Sequence, residues 1–258
     1  IDGVYLTQWK DTVAVRKYVS DNKKNEFEEN GKQNVLIVGN CHAEDTFLAF
    51  HTNKDKFNNY NFILLPGRID VSDFYKSKKY DNNSLYKSAD IIILSTEWNN
   101  PRGKDQGKEN DIAILEDLII KLQKDKKKIY IFNDTPKLTQ NEVKYKFSSL
   151  SVSNYKNKLI KKQSADLTND EIKILEKKYF DDYNKNFKVN MVNKYLKSMS
   201  IKHKVNYINI NNFFCDKENK RCRFRLESKD EIYRNYGRLS VGGSKFIGKI
   251  IFKNKLFD

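Results

Sequence analysis

VLIVGNCHAEDT, running from Val35 to Thr46, decides how this chain folds. Four apolar residues of β-forming type stop at Gly39, and a helix-forming run, AEDTFLAFH, begins three residues after Asn40. That is a buried strand passing through a tight turn into a helix. Cys41 stands at the tip of the turn. A helix N-terminus carries partial positive charge, which lowers a thiol pKa and favours thiolate. Cys41 is thus placed where a nucleophile belongs, and a small cysteine packed into the turn is the competing reading. The motif is not a dinucleotide fingerprint, because G-x-G-x-x-G is absent.

Further short apolar runs follow the first, NVLIVG at 34–39. They are NFILLPG at 61–67, DIIILS at 90–95, KKIYIFND at 127–134 and VNYINI at 205–210. Continuous runs of this length fit strands buried on both faces of a parallel sheet. Helical patterns lie between them. In 110–127, Ile112, Leu115, Leu118, Ile119 and Leu122 share one face. A helix candidate from Thr168 to Ser200 opens with Thr168 and Glu171 at capping-box spacing. GGSKFIGKIIFK closes the chain. Alternation of strands and helices predicts a single three-layer, doubly wound α/β domain with a mainly parallel five-stranded sheet. Residues 1–32 are polar and are expected to form an extension or linker, with the domain spanning 33–258. In such folds ligands bind beyond the carboxyl ends of the strands. Cys41, Gly67, Trp98, Asn99, Asn100 and Asp134 collect there.

Composition narrows the function classes. Net charge is +15, with 38% hydrophobic and 32% charged residues. A basic surface attracts nucleic acid, anionic lipid or acidic glycan. Here the lysines are interleaved with Asn, Asp and Glu along the chain, as a solvated surface would be. No RNP-type aromatic motif, recognition helix or zinc knuckle is present, so no nucleic-acid partner is expected. No apolar run is long enough to span a bilayer. The sequence starts at Ile1, as a chain with a removed leader or a fragment of a longer one would. Of three cysteines, Cys215 and Cys222 are close in sequence and Cys41 is alone. That suits one disulfide and one free thiol in an oxidising compartment, or three thiols in a reducing one. Neither a metal nor a cofactor is implied, since no His or second Cys pair stands at ligand spacing.

The blocks together resemble a known family. VLIVGNCHA is similar to the first block of SGNH hydrolases, in the branch fused to membrane acyltransferases of family three. IIILSTEW, KKIYIFNDTP, VNKYLKSMSIKHKVNYININNFFC, the Cys loop CDKENKRC and YRNYGRLSVGGSKFIG follow in the family's order, over residues 33–252. The first block alone also resembles a cysteine-bearing branch of the same fold among capsule-polysaccharide biosynthesis proteins. The resemblance implies an SGNH/flavodoxin-like fold outside the cytoplasmic membrane, in the periplasm or on its extracellular face. It implies O-acetylation of a surface glycan acceptor, with acyl groups supplied by a membrane acyltransferase domain in cis or in trans. It also implies a disulfide between Cys215 and Cys222. A monomer is expected.

Carried over position by position, the nucleophile is Cys41, and Asn40 stands for the neighbouring Asp. Gly67, Asn99 and Asn100 occupy the oxyanion and substrate-binding blocks. Asn235 and Arg238 replace the closing Asp and His. All three triad positions are therefore changed. A thiol needs a base less than a hydroxyl does, and a nearby Arg⁺ favours thiolate. Arg238 cannot take a proton from an acceptor, and Asn235 cannot support a charged base. His42, His51 and His203 are poorly placed to substitute. Glu44, Asp45, Asp70, Glu97 and Asp134 are candidate carboxylate bases, for each of which a cap or surface position is the ordinary role. Two functions remain: an O-acyltransferase domain acting through Cys41, or a catalytically inactive module that binds glycan or a partner.

Overall fold

The computed structural model describes residues 2–67, 69–98, 111–135, 168–223, 225–228, 232–235 and 238–257. Five parallel strands form one sheet: β1 (Gln33–Val38), β2 (Tyr60–Leu64), β3 (Ile91–Leu94), β4 (Lys128–Phe132) and β5 (Asn206–Ile208), in the order β2-β1-β3-β4-β5. The order reverses at β1, so the crevice beside its carboxyl end is a topological switch point. The expected doubly wound α/β fold is present.

The apolar runs are continuous because the sheet is covered on both sides. Side chains alternate between faces. Val35 and Ile37 of β1, Ile91 and Ile93 of β3, and Tyr130 and Phe132 of β4 enter one cluster. Leu36, Val38, Ile92, Leu94, Ile129 and Ile131 enter the other. On the first face lie α2 (Cys41–His51), through Phe47 and Phe50, and α9 (Val241–Lys253), through Ile247 and Ile251. The remaining helices, in chain order, are α1 (Asp2–Asp21), α3 (Val71–Lys76), α4 (Lys78–Asp81), α5 (Ser84–Ser88), α6 (Leu115–Lys124), α7 (Asn169–Lys185) and α8 (Phe187–His203). Leu115, Leu118 and Leu122 of α6, with Val192 and Leu196 of α8, cover the second face. Helix α9 comes so close to α2 that a Cβ on Gly248 would stand 2.0 Å from the Ala49 carbonyl oxygen.

Two helices are shorter than their patterns. The 110–127 pattern yields a helix only over Leu115–Lys124. The pattern from Thr168 breaks at Asn186, whose side chain accepts from the Val189 N–H at 3.2 Å and caps α8. In the N-terminal segment, Val15 of α1 is fully buried, and the Tyr18 hydroxyl meets His51 Nδ1 at 2.8 Å. Among the described residues no helix is long and apolar enough to cross a membrane.

The closing region is built from small pieces. Cys215 and Cys222 are joined by a disulfide across the hairpin β6 (Cys215–Asp216) and β7 (Arg221–Cys222). Phe214, next to that bond, packs on Tyr233 with ring centroids 5.5 Å apart, and Tyr179 of α7 stacks on the same Tyr233 at 5.4 Å. Tyr233 begins the hairpin β8 (Tyr233–Asn235) and β9 (Arg238–Leu239), in which Asn235 pairs with Arg238. The Ser240 N–H donates to the Ile232 carbonyl at 2.9 Å, and the Ser240 hydroxyl caps α9 by accepting from the Gly243 N–H at 2.9 Å.

Candidate active site

Gly39 makes the site possible. Its φ is +148°, and a Cβ there would lie 1.8 Å from the Ser95 carbonyl oxygen. Only glycine lets the chain pass this close to the end of β3 and turn into α2. Asn40 then caps the helix, its Oδ1 accepting from the His42 N–H at 3.1 Å. The same oxygen accepts from the Glu97 N–H at 3.2 Å, and Nδ2 donates to Asp70 Oδ1 at 3.3 Å. One amide thus ties the ends of three strands together. Gly67, exposed with φ +111°, lies three residues before Asp70 in the segment so tethered. Thr46 and Ser95 add a hydroxyl pair at 2.8 Å.

Cys41 is the first residue of α2, half-buried, and a free thiol. Glu44 and Asp45 follow at i+3 and i+4, on the same helical face. Both are buried, and both bind Arg238. Arg238 Nε donates to Asp45 Oδ2 at 2.7 Å and Nη2 to Asp45 Oδ1 at 3.0 Å, a bidentate pair. Nη2 also donates to Glu44 Oε2 at 3.2 Å, and the Leu239 N–H donates to Asp45 Oδ2 at 3.0 Å. Burial opposes the Arg238 charge, but Asp45, the nearby Cys41 and Glu44 outweigh it and raise its pKa. Arg238 therefore does face the helix that carries Cys41. Its charge is matched by two carboxylates in addition to the nearby Cys41. Glu44 and Asp45 are correspondingly not caps or surface groups, and burial beside Arg⁺ is the physical reason.

Asp134 is also no surface group. It is fully buried at the end of β4, and its carbonyl receives amides from Asn133, Asn193 and Asn211 at 2.7, 2.9 and 3.1 Å. Asp111, which sequence reasoning passed over, is buried and accepts from the Ser72 N–H at 2.8 Å and the Thr96 hydroxyl at 3.0 Å. Desolvation raises its pKa. The Trp that ends the third block is a core residue: Trp98 is fully buried and its indole N–H donates to the Phe132 carbonyl at 2.8 Å.

The histidines have other engagements. His42 Nδ1 lies 3.5 Å from the Thr135 hydroxyl, His51 meets Tyr18, and His203 Nε2 lies 3.1 Å from Glu116 Oε1. Asn235 is in β8, directly paired with Arg238 along the backbone. Asn99 and Asn100 fall outside the described residues. The Arg238 clamp was the largest omission from the sequence reading. The signal for it was present, because two acids at i+3 and i+4 from Cys41 share a face that an incoming Arg would need to meet.

The arrangement of switch point, glycine turn, helix-borne nucleophile position and closing hairpin can be set beside known proteins. Residues 16–253 match the family described as the SGNH domain fused to AT3 domains. This chain belongs to that SGNH family. Among solved structures it is similar to the periplasmic domain of a lipopolysaccharide acetyltransferase from Salmonella ser. Paratyphi A. The TM-score is 0.65 at 18% identity, covering 100% of this chain and 98% of that one. A GDSL-like lipase from Bacteroides thetaiotaomicron is similar at TM-score 0.49 and 14% identity, over 94% of this chain and 96% of that one. No curated protein matches the chain. The SGNH fold and family expected from the block order are therefore the ones found.

Proposed function

We propose that this SGNH domain works outside the cytoplasmic membrane in O-acetylation of a surface glycan, receiving acyl groups from a membrane acyltransferase domain. Membership of a family fused to AT3 domains supports the partner. Likeness to a periplasmic acetyltransferase domain supports the compartment and the acyl group.

Within that role Cys41 is the acyl acceptor. The observation that carries this is a free, half-buried thiol as the first residue of α2. In the step, Cys41 Sγ attacks the donor's acyl carbonyl, a thioester C–S bond forms, and the bond to the donor's leaving group breaks. The thiol proton leaves with that group. Onward transfer to a glycan hydroxyl needs a base, and Arg238 cannot be one. A group supplied by the acceptor or by the membrane domain fills that role.

One observation favours a second reading, a non-covalent glycan-binding module. The closing position is held in an ion pair with Asp45 and Glu44 in place of a base. Intact-mass spectrometry after exposure to an activated acetyl ester separates the two, with Cys41→Ala as control. Cys215 and Cys222 are oxidised and do not compete. A single acetyl that disappears in Cys41→Ala supports the acyl-enzyme. An unmodified protein with a folded Cys41 supports the binding module.

A further inference from the structure

Helix α8 shows solvent an unusual face. Val189, Val192 and Leu196 point into the molecule. At 100° per residue, Phe187, Met191, Lys194, Ser198 and Ile201 fall on the opposite side. Three of these five are large and apolar, and they are strongly exposed: Phe187 at 72%, Met191 at 50% and Ile201 at 68%. Lys194 stands among them, and Lys188 and Lys197 are exposed at the flanks. Lys202 is exposed as well and pairs with Glu116 of the neighbouring α6 at 2.6 Å. The helix itself contains no Asp or Glu. The chain as a whole carries +15.

A solvated helix face has no need of Phe187, Met191 and Ile201 together. A surface for an acidic glycan has need of the lysines but not of the apolar three. Apolar side chains among lysines, on a helix with no carboxylate of its own, match the interface of an anionic bilayer, where rings and alkyl chains enter the headgroup boundary and ammonium groups meet phosphates. We infer that the outer face of α8 docks this domain onto a membrane surface containing anionic phospholipid. The occupant is the lipid headgroup layer, chosen by that combination of charge and apolar area. Because α8 leads directly into β5 and packs along the sheet, docking through it lays the strands along the membrane plane. The Cys41 end of the sheet then opens sideways rather than toward or away from the bilayer. The inference stands on α8 alone and is independent of the chemistry assigned to Cys41.

The test is sedimentation of the 258-residue chain with vesicles of phosphatidylcholine, with and without phosphatidylglycerol. Binding is expected only with phosphatidylglycerol. Lys188→Glu with Lys197→Glu is expected to weaken it by about tenfold or more, as is Phe187→Ser with Ile201→Ser. Lys245→Glu with Lys249→Glu, on the exposed side of α9, is the control and is expected to bind as the unsubstituted chain does. Equal loss in that control, or no binding to anionic vesicles, overturns the proposal. Vesicle binding that is indifferent to the serine pair, beside equally tight binding of soluble polyphosphate, also overturns it in favour of a polyanion surface. If the serine pair fails to fold, Phe187→Trp decides. Its indole emission, taken as a difference from the unsubstituted chain, shifts to the blue on anionic vesicles if α8 inserts and stays in place if it does not. Cys41→Ala is expected to bind vesicles unchanged whichever way the acetyl-ester experiment falls.

Discussion

The two halves of the site keep different things. At the first block, the Gly39 turn, the Asn40 cap and a free thiol on the first turn of α2 are all in place. At the closing block, the backbone frame is in place: the β8/β9 hairpin, the Ser240 cap and the start of α9. Its side-chain chemistry is different. Where the family pattern has a base, Arg238 is bound by Asp45 and Glu44. A backbone scaffold and the chemistry mounted on it are thus separable. The hairpin that presents a base in the family pattern here presents a cation that fastens it to α2.

The comparison breaks most readily at the clamp. Asp45→Ala leaves Arg238 buried with only the Glu44 contact, and is expected to cost about 3–5 kcal/mol in urea unfolding. Replacing both partners, as Asp45→Leu with Arg238→Met, is expected to recover most of that loss, because neither charge is then stranded. If Asp45→Ala is nearly neutral, the clamp is not what joins the hairpin to α2. The first half yields a smaller effect. Asn40→Ala removes the helix cap and both tethers to the neighbouring loops, with an expected loss of about 1–2 kcal/mol. A larger share of the damage should appear as faster amide exchange at Glu97 than as a lower global midpoint.

The smallest effect lies at the far end of α2, outside both halves. His51 is partly buried, and burial, with Lys54 and Lys24, lowers its pKa below the ordinary imidazole value of 6.5. The folded state therefore favours neutral imidazole, while the unfolded chain takes up a proton from about 6.5 downward. Stability contributed here is present above that pH and is lost as pH falls through it. A melting-temperature profile from about pH 8 down to about pH 5 should show a dip on acidification that His51→Gln removes. The α1 contact through Tyr18 is the part expected to loosen.

Much of the fold was legible because local physics agrees with it. The apolar runs of β1, β3 and β4 are continuous since both faces are covered, and that pattern survives in any reading of the sequence. Gly39 announced its turn in the same way. The break at Asn186 was harder to see, because the apolar pattern on either side fits one long helix and only the cap distinguishes two. In the site, the strand-turn-helix pattern placed Cys41 at a helix N-terminus, and the family resemblance, not the pattern, put it at the nucleophile position. The role of Asp45 could not, since it depends on an Arg that arrives from 193 residues away.

By itself the sequence determined the layering, the parallel strands and the place of Cys41 in the turn after the first of them. These follow from period and turn chemistry, which are local properties. Only the tertiary structure decided what Arg238 is. A guanidinium takes its character from the charges beside it, and here packing of the β8/β9 hairpin on α2 brings it to two buried carboxylates. The exposed face of α8 was decided in the same way. Its residues are visible in the sequence, but which of them meet solvent depends on the sheet behind them.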